Sequence, residues 1–195
     1  MENSILPENN PWYAIRLFTL RLKEVKSFFE EAGYKVFVPE QYEDFEDREG
    51  KRHHELRPVV RNLLFVEKKH EFDLKDAEIM DFVQGQDKYK IAVLRPNPTE
   101  KKPALIPAYQ MREFIMMCNP EITMKIFVSS EEAKLKTGDF VTVHHGPLKG
   151  MTGRLVRKSK KYYLLKEIPG ISVMMKVSRW CCEPIDPDKL KESKD

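Results

Sequence analysis

The stretch Gly138-Asp139-Phe140-Val141-Thr142-Val143-His144-His145-Gly146-Pro147-Leu148-Lys149-Gly150-Met151-Thr152-Gly153-Arg154-Leu155 sets turn residues inside a run with strand-like alternation. On an extended chain Val141 and Val143 share one face and Thr142 takes the other. Gly146-Pro147 is a turn signal, because glycine accepts positive φ and proline pre-sets φ near a turn value. Gly150 and Gly153 lack a Cβ, so they permit a second reversal or a close passage of two strands. A phosphate-binding loop does not fit. The stretch has no Gly-x-x-x-x-Gly-Lys-Ser/Thr and closes on a strand instead of opening a helix. What remains is an ordinary hairpin, or a small barrel that binds with its loops.

The rest of the chain narrows the choice. With 195 residues, 41% of them apolar, it can build one domain or two small ones around real cores. No apolar run approaches the roughly 18 residues of a membrane span, and Met1 to Pro11 is polar without a signal-peptide core. The three cysteines, Cys118, Cys181 and Cys182, are an odd number with two adjacent, which suits a reducing compartment. The expected location is the cytoplasm. The net charge of +3 is unevenly spread. Lys134 to Cys182 holds eleven Lys/Arg against two acids, a balance of +9. The first 133 residues hold twenty basic and 24 acidic residues, a balance of −4. A basic half speaks about partners such as nucleic acid, with a solvated lysine face as the plain alternative.

Along the chain, the apolar run Trp12 to Leu17 predicts a buried strand. Thr19 is a candidate N-cap, and Leu22, Val25, Phe29 and Ala32 follow at helical spacing up to a terminating Gly33. Tyr34, Val36 and Val38 alternate as a second strand, and charged Gln41 to Pro58 reads as a protruding hairpin turning at Glu49-Gly50-Lys51. Asn62 to Val66 and Tyr89 to Leu94 are further strands, with a helix over Phe72 to Phe82 between them. Pro107 opens a last helix bearing Met111, Phe114, Ile115 and Cys118, and Asn119-Pro120 closes it. This order gives an α+β domain at 11–118 with helices packed on one sheet. Residues 119–133 read as a linker. Short strands at 139–144, 153–158, 161–166 and 172–177, with a fifth near 179–182, suit a small barrel within 134–185, followed by a charged tail at 186–195.

Chemistry-bearing clusters point to binding. His53-His54 and His144-His145 are strand neighbours facing opposite ways, and no Cys-x-x-Cys completes a set, so no metal is expected. No carboxylate is placed with a nucleophile and base, so neither catalysis nor a cofactor is implied. Cys118 lies on an apolar helical face and reads as core. Arg157-Lys158-Ser159-Lys160-Lys161 is the densest basic cluster and sits where two strands turn. A binding loop and a merely polar turn both fit it.

Together these residues resemble the NusG family of transcription elongation factors, over about 11–185. Trp12-Tyr13 opens the first strand as in that family's N-terminal NGN domain, and Pro58-Val59-Val60-Arg61-Asn62-Leu63-Leu64-Phe65-Val66 sits at its Pro-aromatic-Pro segment. The quoted glycine-rich stretch is similar to the KOW motif through Gly138, Asp139, Val141, Val143, Gly146, Pro147, Gly150 and Gly153. Asn62 to Val66, Lys102 to Pro107 and Met111 to Ile115 look like the antiterminators of Bacteroides capsular-polysaccharide operons. The resemblance implies an NGN sheet, a linker, a KOW barrel, and antitermination on RNA polymerase.

It also implies polymerase docking through Trp12, Tyr13, Val59, Val60 and Phe65, although strand alternation turns at most one of Trp12 and Tyr13 to the core. Where relatives carry an aromatic and a second proline, this chain has Val59-Val60 and Arg61, so a docking pocket here has a different shape. At the hairpin tip, Arg48, Lys51 and Arg52 are candidates for phosphate contacts to non-template or upstream DNA. Six acids between Glu40 and Glu49 argue against a generic nucleic-acid arm, and a solvated hairpin fits equally well. The KOW cluster Arg157, Lys158, Lys160 and Lys161 would meet RNA or a ribosomal protein. Two other classes fit the same features: a housekeeping elongation factor coupling polymerase to termination factor or ribosome, and a KOW-type RNA-binding or ribosome-assembly protein.

Overall fold

The computed structural model describes residues 10–69 and 76–186. The chain divides into two compact units, 1–112 and 113–195. The first unit is organised by β1 (Trp12–Leu17). It is followed by α1 (Leu22–Glu31), β2 (Val36–Phe37), β3 (Glu40–Glu46), β4 (Arg52–Pro58) and β5 (Leu63–Glu67). After them come α2 (Ala77–Gln84), β6 (Ile91–Val93), β7 (Leu105–Ile106) and α3 (Ala108–Met117), which runs across the unit boundary. The main sheet has the order β2-β5-β1-β6, with β7 also paired to β1, and every pairing is antiparallel. β3 and β4 form a separate two-stranded sheet.

The helical periodicity explains the packing. Leu22, Val25 and Phe29 project from α1 onto Tyr13, Ile15 and Leu17 of β1 and Leu64 and Val66 of β5. Ile79 and Val83 of α2 complete the same core. Phe28 stacks on Phe82 at 4.9 Å between ring centres, tying the two helices together. Gly33 at φ +82° ends α1 in the left-handed conformation expected of it. Thr19 falls short of the N-cap, which is Arg21, and its hydroxyl accepts from the Arg21 N–H instead. Of the helix read over Phe72 to Phe82, the part before Asp76 lies outside the described residues, and α2 begins at Ala77.

The second unit differs from the small five-stranded barrel expected. It contains β8 (Lys125–Val128), α4 (Ser130–Lys134), β9 (Phe140–Val143), β10 (Thr152–Lys158), β11 (Lys161–Ile168), β12 (Ile171–Val177) and β13 (Cys182–Pro184). These form a six-stranded sheet in the order β13-β9-β10-β11-β12-β8, which does not close among the described residues. The stretch 119–133 read as linker therefore carries structure. Its run Ile126-Phe127-Val128 pairs along β12, because an apolar segment next to a free sheet edge gains both backbone hydrogen bonds and burial. Ser129 caps α4, its side chain accepting from the Glu132 N–H at 3.1 Å. Residues 179–181 form one turn of 3-10 helix, and the edge strand follows it at 182–184. The Ile185 N–H still bonds the Phe140 carbonyl, so the ordered chain extends past Pro184.

The glycines of the quoted stretch divide into two kinds. Gly146 and Gly150 take φ of +86° and +84°, bracketing the β9–β10 connection. Gly153 is different: a Cβ placed on it would lie 2.6 Å from the carbonyl oxygen of Leu165 on the neighbouring β11. Gly153→Val therefore forces two strand backbones apart. We expect the full chain to lose about 1–3 kcal/mol, the usual range for overpacking. Thermal unfolding followed by circular dichroism checks this, and an unchanged midpoint contradicts it.

Candidate functional site

The β3–β4 hairpin is built from side-chain stacks. On one face the Arg57 guanidinium lies 3.5 Å over the Phe45 ring, and Phe45 stacks on His53 at 5.0 Å. His53 Nε2 is 2.7 Å from Asp47 Oδ2, which ends the ladder. On the other face Tyr42 stacks on His54 at 4.7 Å, and His54 Nδ1 bonds Asp44 Oδ1 at 2.6 Å. Asp47 also closes the turn, its Oδ1 accepting from the N–H groups of Glu49 and Lys51 at 2.9 Å each. Hydrogen bonding to His53 first, and to the Lys51 N–H second, holds the Asp47 carboxyl below its ordinary value.

This geometry brings Arg48, Lys51 and Arg52 to the exposed tip, and none has an ion pair among the described residues. Two of the six nearby acids, Asp44 and Asp47, are engaged by histidines. The acid run thus partly serves the hairpin's own stacks. Sequence reading missed Arg57 and Phe45; the register sets Phe45 opposite His53 and Arg57 opposite Gln41, so only the Phe45–His53 stack follows once the turn is placed.

The apolar docking candidates separate. Tyr13 is buried in the core, and its hydroxyl donates to buried Asp76 at 2.5 Å. Asp76 also pairs with the Lys68 ammonium at 2.8 Å and sits at φ +51° just before α2. Trp12 and Phe65 are buried too, so none of the three presents a surface as the chain stands. The expectation that only one of Trp12 and Tyr13 faces inward fails because both faces of the first half of β1 are covered. Val59 and Val60 stay half-buried after β4, with the Val59 N–H bonding the Pro39 carbonyl at the hairpin base.

In the second unit, Gly138 and Asp139 lead into β9, Gly146, Pro147 and Gly150 lie in the connection, and Gly153 is in β10. Arg157, Lys158, Lys160 and Lys161 are all exposed around the β10–β11 turn. Lys158 pairs across from Lys161, so Ser159-Lys160 is a two-residue turn, and both residues take positive φ, +49° and +63°. Such turns ordinarily favour Asn-Gly, since a Cβ is disfavoured there. Sequence reading passed over Trp180, whose one signal is an aromatic beside Arg179 within a basic segment.

The chain thus holds a mixed α/β unit with a charged two-stranded hairpin, followed by a basic unit built on a six-stranded sheet. Residues 10–115, just over half the chain, match the model of the family described as "Transcription termination factor nusG". The chain belongs to the NusG family. Members are transcription elongation and termination factors that bind RNA polymerase, not enzymes. No curated protein matches the chain. No helix among the described residues is long and apolar enough to cross a membrane.

The depressed Asp47 carboxyl gives the hairpin a pH signature. Its contribution is present above the ordinary carboxyl pKa and is lost as pH falls through the lower folded value. The Glu49 and Lys51 amide NMR signals are expected to share one titration step with a midpoint below the ordinary aspartate value of about 3.9. That step should vanish in Asp47→Asn. A midpoint at or above the ordinary value contradicts the hydrogen-bonding argument.

Proposed function

We propose that the protein is a processive antitermination factor that rides on RNA polymerase and suppresses pausing or early release through long operons. The family match over residues 10–115 carries the polymerase part of this reading. The antitermination part is supported by the resemblance of Asn62 to Val66, Lys102 to Pro107 and Met111 to Ile115 to the Bacteroides capsular-polysaccharide antiterminators. In this reading residues 11–118 act as the NGN domain and 134–185 as a KOW domain, working in the cytoplasm. Arg48, Lys51 and Arg52 contact phosphates of non-template or upstream DNA. The Arg157, Lys158, Lys160 and Lys161 turn meets RNA or a ribosomal protein. Transcription by the cognate polymerase on a template with a long leader and an intrinsic terminator tests the reading. Added protein should raise the full-length fraction. More termination on adding a termination factor would instead identify a housekeeping role.

Docking in this reading is mainly apolar and uses Val59 and Val60, the docking candidates still at the surface. A carboxylate buried in such an interface loses hydration without gaining a partner. Val60→Asp is expected to weaken binding of the full chain to core polymerase tenfold or more, about 1.4 kcal/mol. Titration of both proteins, with circular dichroism confirming that each is folded, measures this. Equal affinity would move the docking surface away from Val60.

The hairpin tip makes a separable claim. Replacing Arg48, Lys51 and Arg52 with alanine should weaken binding to the elongation complex. The log–log salt slope should flatten by about one unit for each phosphate that is no longer neutralised. The same salt slope as the unaltered protein would leave the hairpin a scaffold only.

A further inference from the structure

The second unit contains a cleft of about 730 Å3 whose lining includes Lys161, Tyr162, Lys176, Arg179 and Trp180, with Asp139 its one carboxylate. Trp180 stands on the 3-10 turn before β13 and is 78% exposed, whereas Trp12, the chain's other tryptophan, is 5% exposed. An indole carries a large apolar area, so leaving its face in water forgoes burial that the core of either unit offers. Its nearest ring, His145, lies 6.0 Å away and tilted by 31°, which leaves that face largely uncovered. Lys161, Lys176 and Arg179 have no ion pair among the described residues. Arg157 reaches over the Tyr162 ring at 5.8 Å, and the strained Ser159-Lys160 turn adjoins the same end of β11.

We infer that this cleft binds single-stranded nucleic acid, with a base stacked on Trp180 and the flanking phosphates held by Lys161, Lys176 and Arg179. Unpaired cations supply a salt-dependent attraction to phosphates without reading sequence. An uncovered aromatic beside them gives a base its stacking partner. An acidic protein would satisfy the cations equally, but it brings no flat π-face to the indole. A duplex satisfies the cations and keeps its bases stacked inside. The combination of charge and an uncovered ring therefore selects unpaired strands. The inference deepens the proposed partner site at the β10–β11 turn and rests on that reading for the shared Lys161. It does not require polymerase.

Twelve-residue oligouridine RNA, oligothymidine DNA and a DNA duplex, each fluorescein-labelled, are titrated with the full chain. Quenching of tryptophan emission is followed in parallel with unlabelled strands, and Trp180 dominates that signal because Trp12 is buried. Either single strand should bind more tightly than the duplex, and binding should quench the emission. The RNA and DNA arms show which sugar is preferred. Trp180→Ala should weaken single-strand binding about tenfold, Trp180→Phe should restore most of it, and Lys176→Ala with Arg179→Ala should flatten the salt dependence. Polymerase affinity of Trp180→Ala should be unchanged, so loss here is distinguishable from failure of the polymerase reading. Three results overturn the inference. They are absent single-strand binding, equal binding by Trp180→Ala, and stronger quenching by a polyglutamate peptide than by either strand, which would assign the cleft to an acidic protein. If Lys158→Ala with Lys160→Ala abolishes binding while Trp180→Ala leaves it intact, the turn is the partner site and the cleft is not.

Discussion

The first unit depends on the pairing of β1. Six residues, Trp12 to Leu17, are bonded to strands from three distant parts of the chain, at 63–67, 91–93 and 105–106. Each of those pairings closes a long loop, an entropic cost that the strand offsets only by being nearly fully buried. The polar cost of that burial is met locally. The Tyr13 hydroxyl and the Lys68 ammonium converge on one carboxylate, Asp76, so a tyrosine in the core keeps a hydrogen-bond partner. Asp76 holds this place in a left-handed conformation that aspartate tolerates better than most residues.

The hairpin follows from a different constraint. Two strands alone are marginal in water, because neither face has a core to rest on. Here each face carries its own cross-strand stack, Arg57–Phe45–His53 on one and Tyr42–His54 on the other, and each ends on a carboxylate. The hairpin can therefore leave the sheet without an apolar face of its own. Part of its charge, at Asp44, Asp47 and Arg57, is engaged in holding shape, and the cations left over are those of the tip. The second unit concentrates positive charge beside an uncovered indole, and its basic turn is made by a serine and a lysine in backbone positions that glycine would fill more easily. Both units thus present side chains whose placement costs something within the fold.

Much of this was legible from residue order. Helical spacing located α1 and α3, charge and a glycine turn located the hairpin, and turn chemistry placed the β9–β10 connection, because each depends on neighbours close in sequence. β8 escaped notice since a three-residue apolar run is too short for periodicity, and only the open edge of β12 makes it a strand. β7, with two residues, was invisible for the same reason. The barrel expectation failed at the level of closure, since edge pairing is a property of the assembled sheet.

By itself the sequence determined the local vocabulary of this protein: which segments are helical or extended, where Gly146 and Gly150 reverse the chain, and that the positive charge gathers after residue 133. Propensity, periodicity and charge act over a few residues, so they can be read from a string. Only the tertiary structure decided which of those residues remain available. It buried Trp12, Tyr13 and Phe65, left Val59 and Val60 at the surface, and set Trp180 in water beside three cations. Exposure is decided by chain segments far apart in sequence that come to cover, or fail to cover, the same side chain.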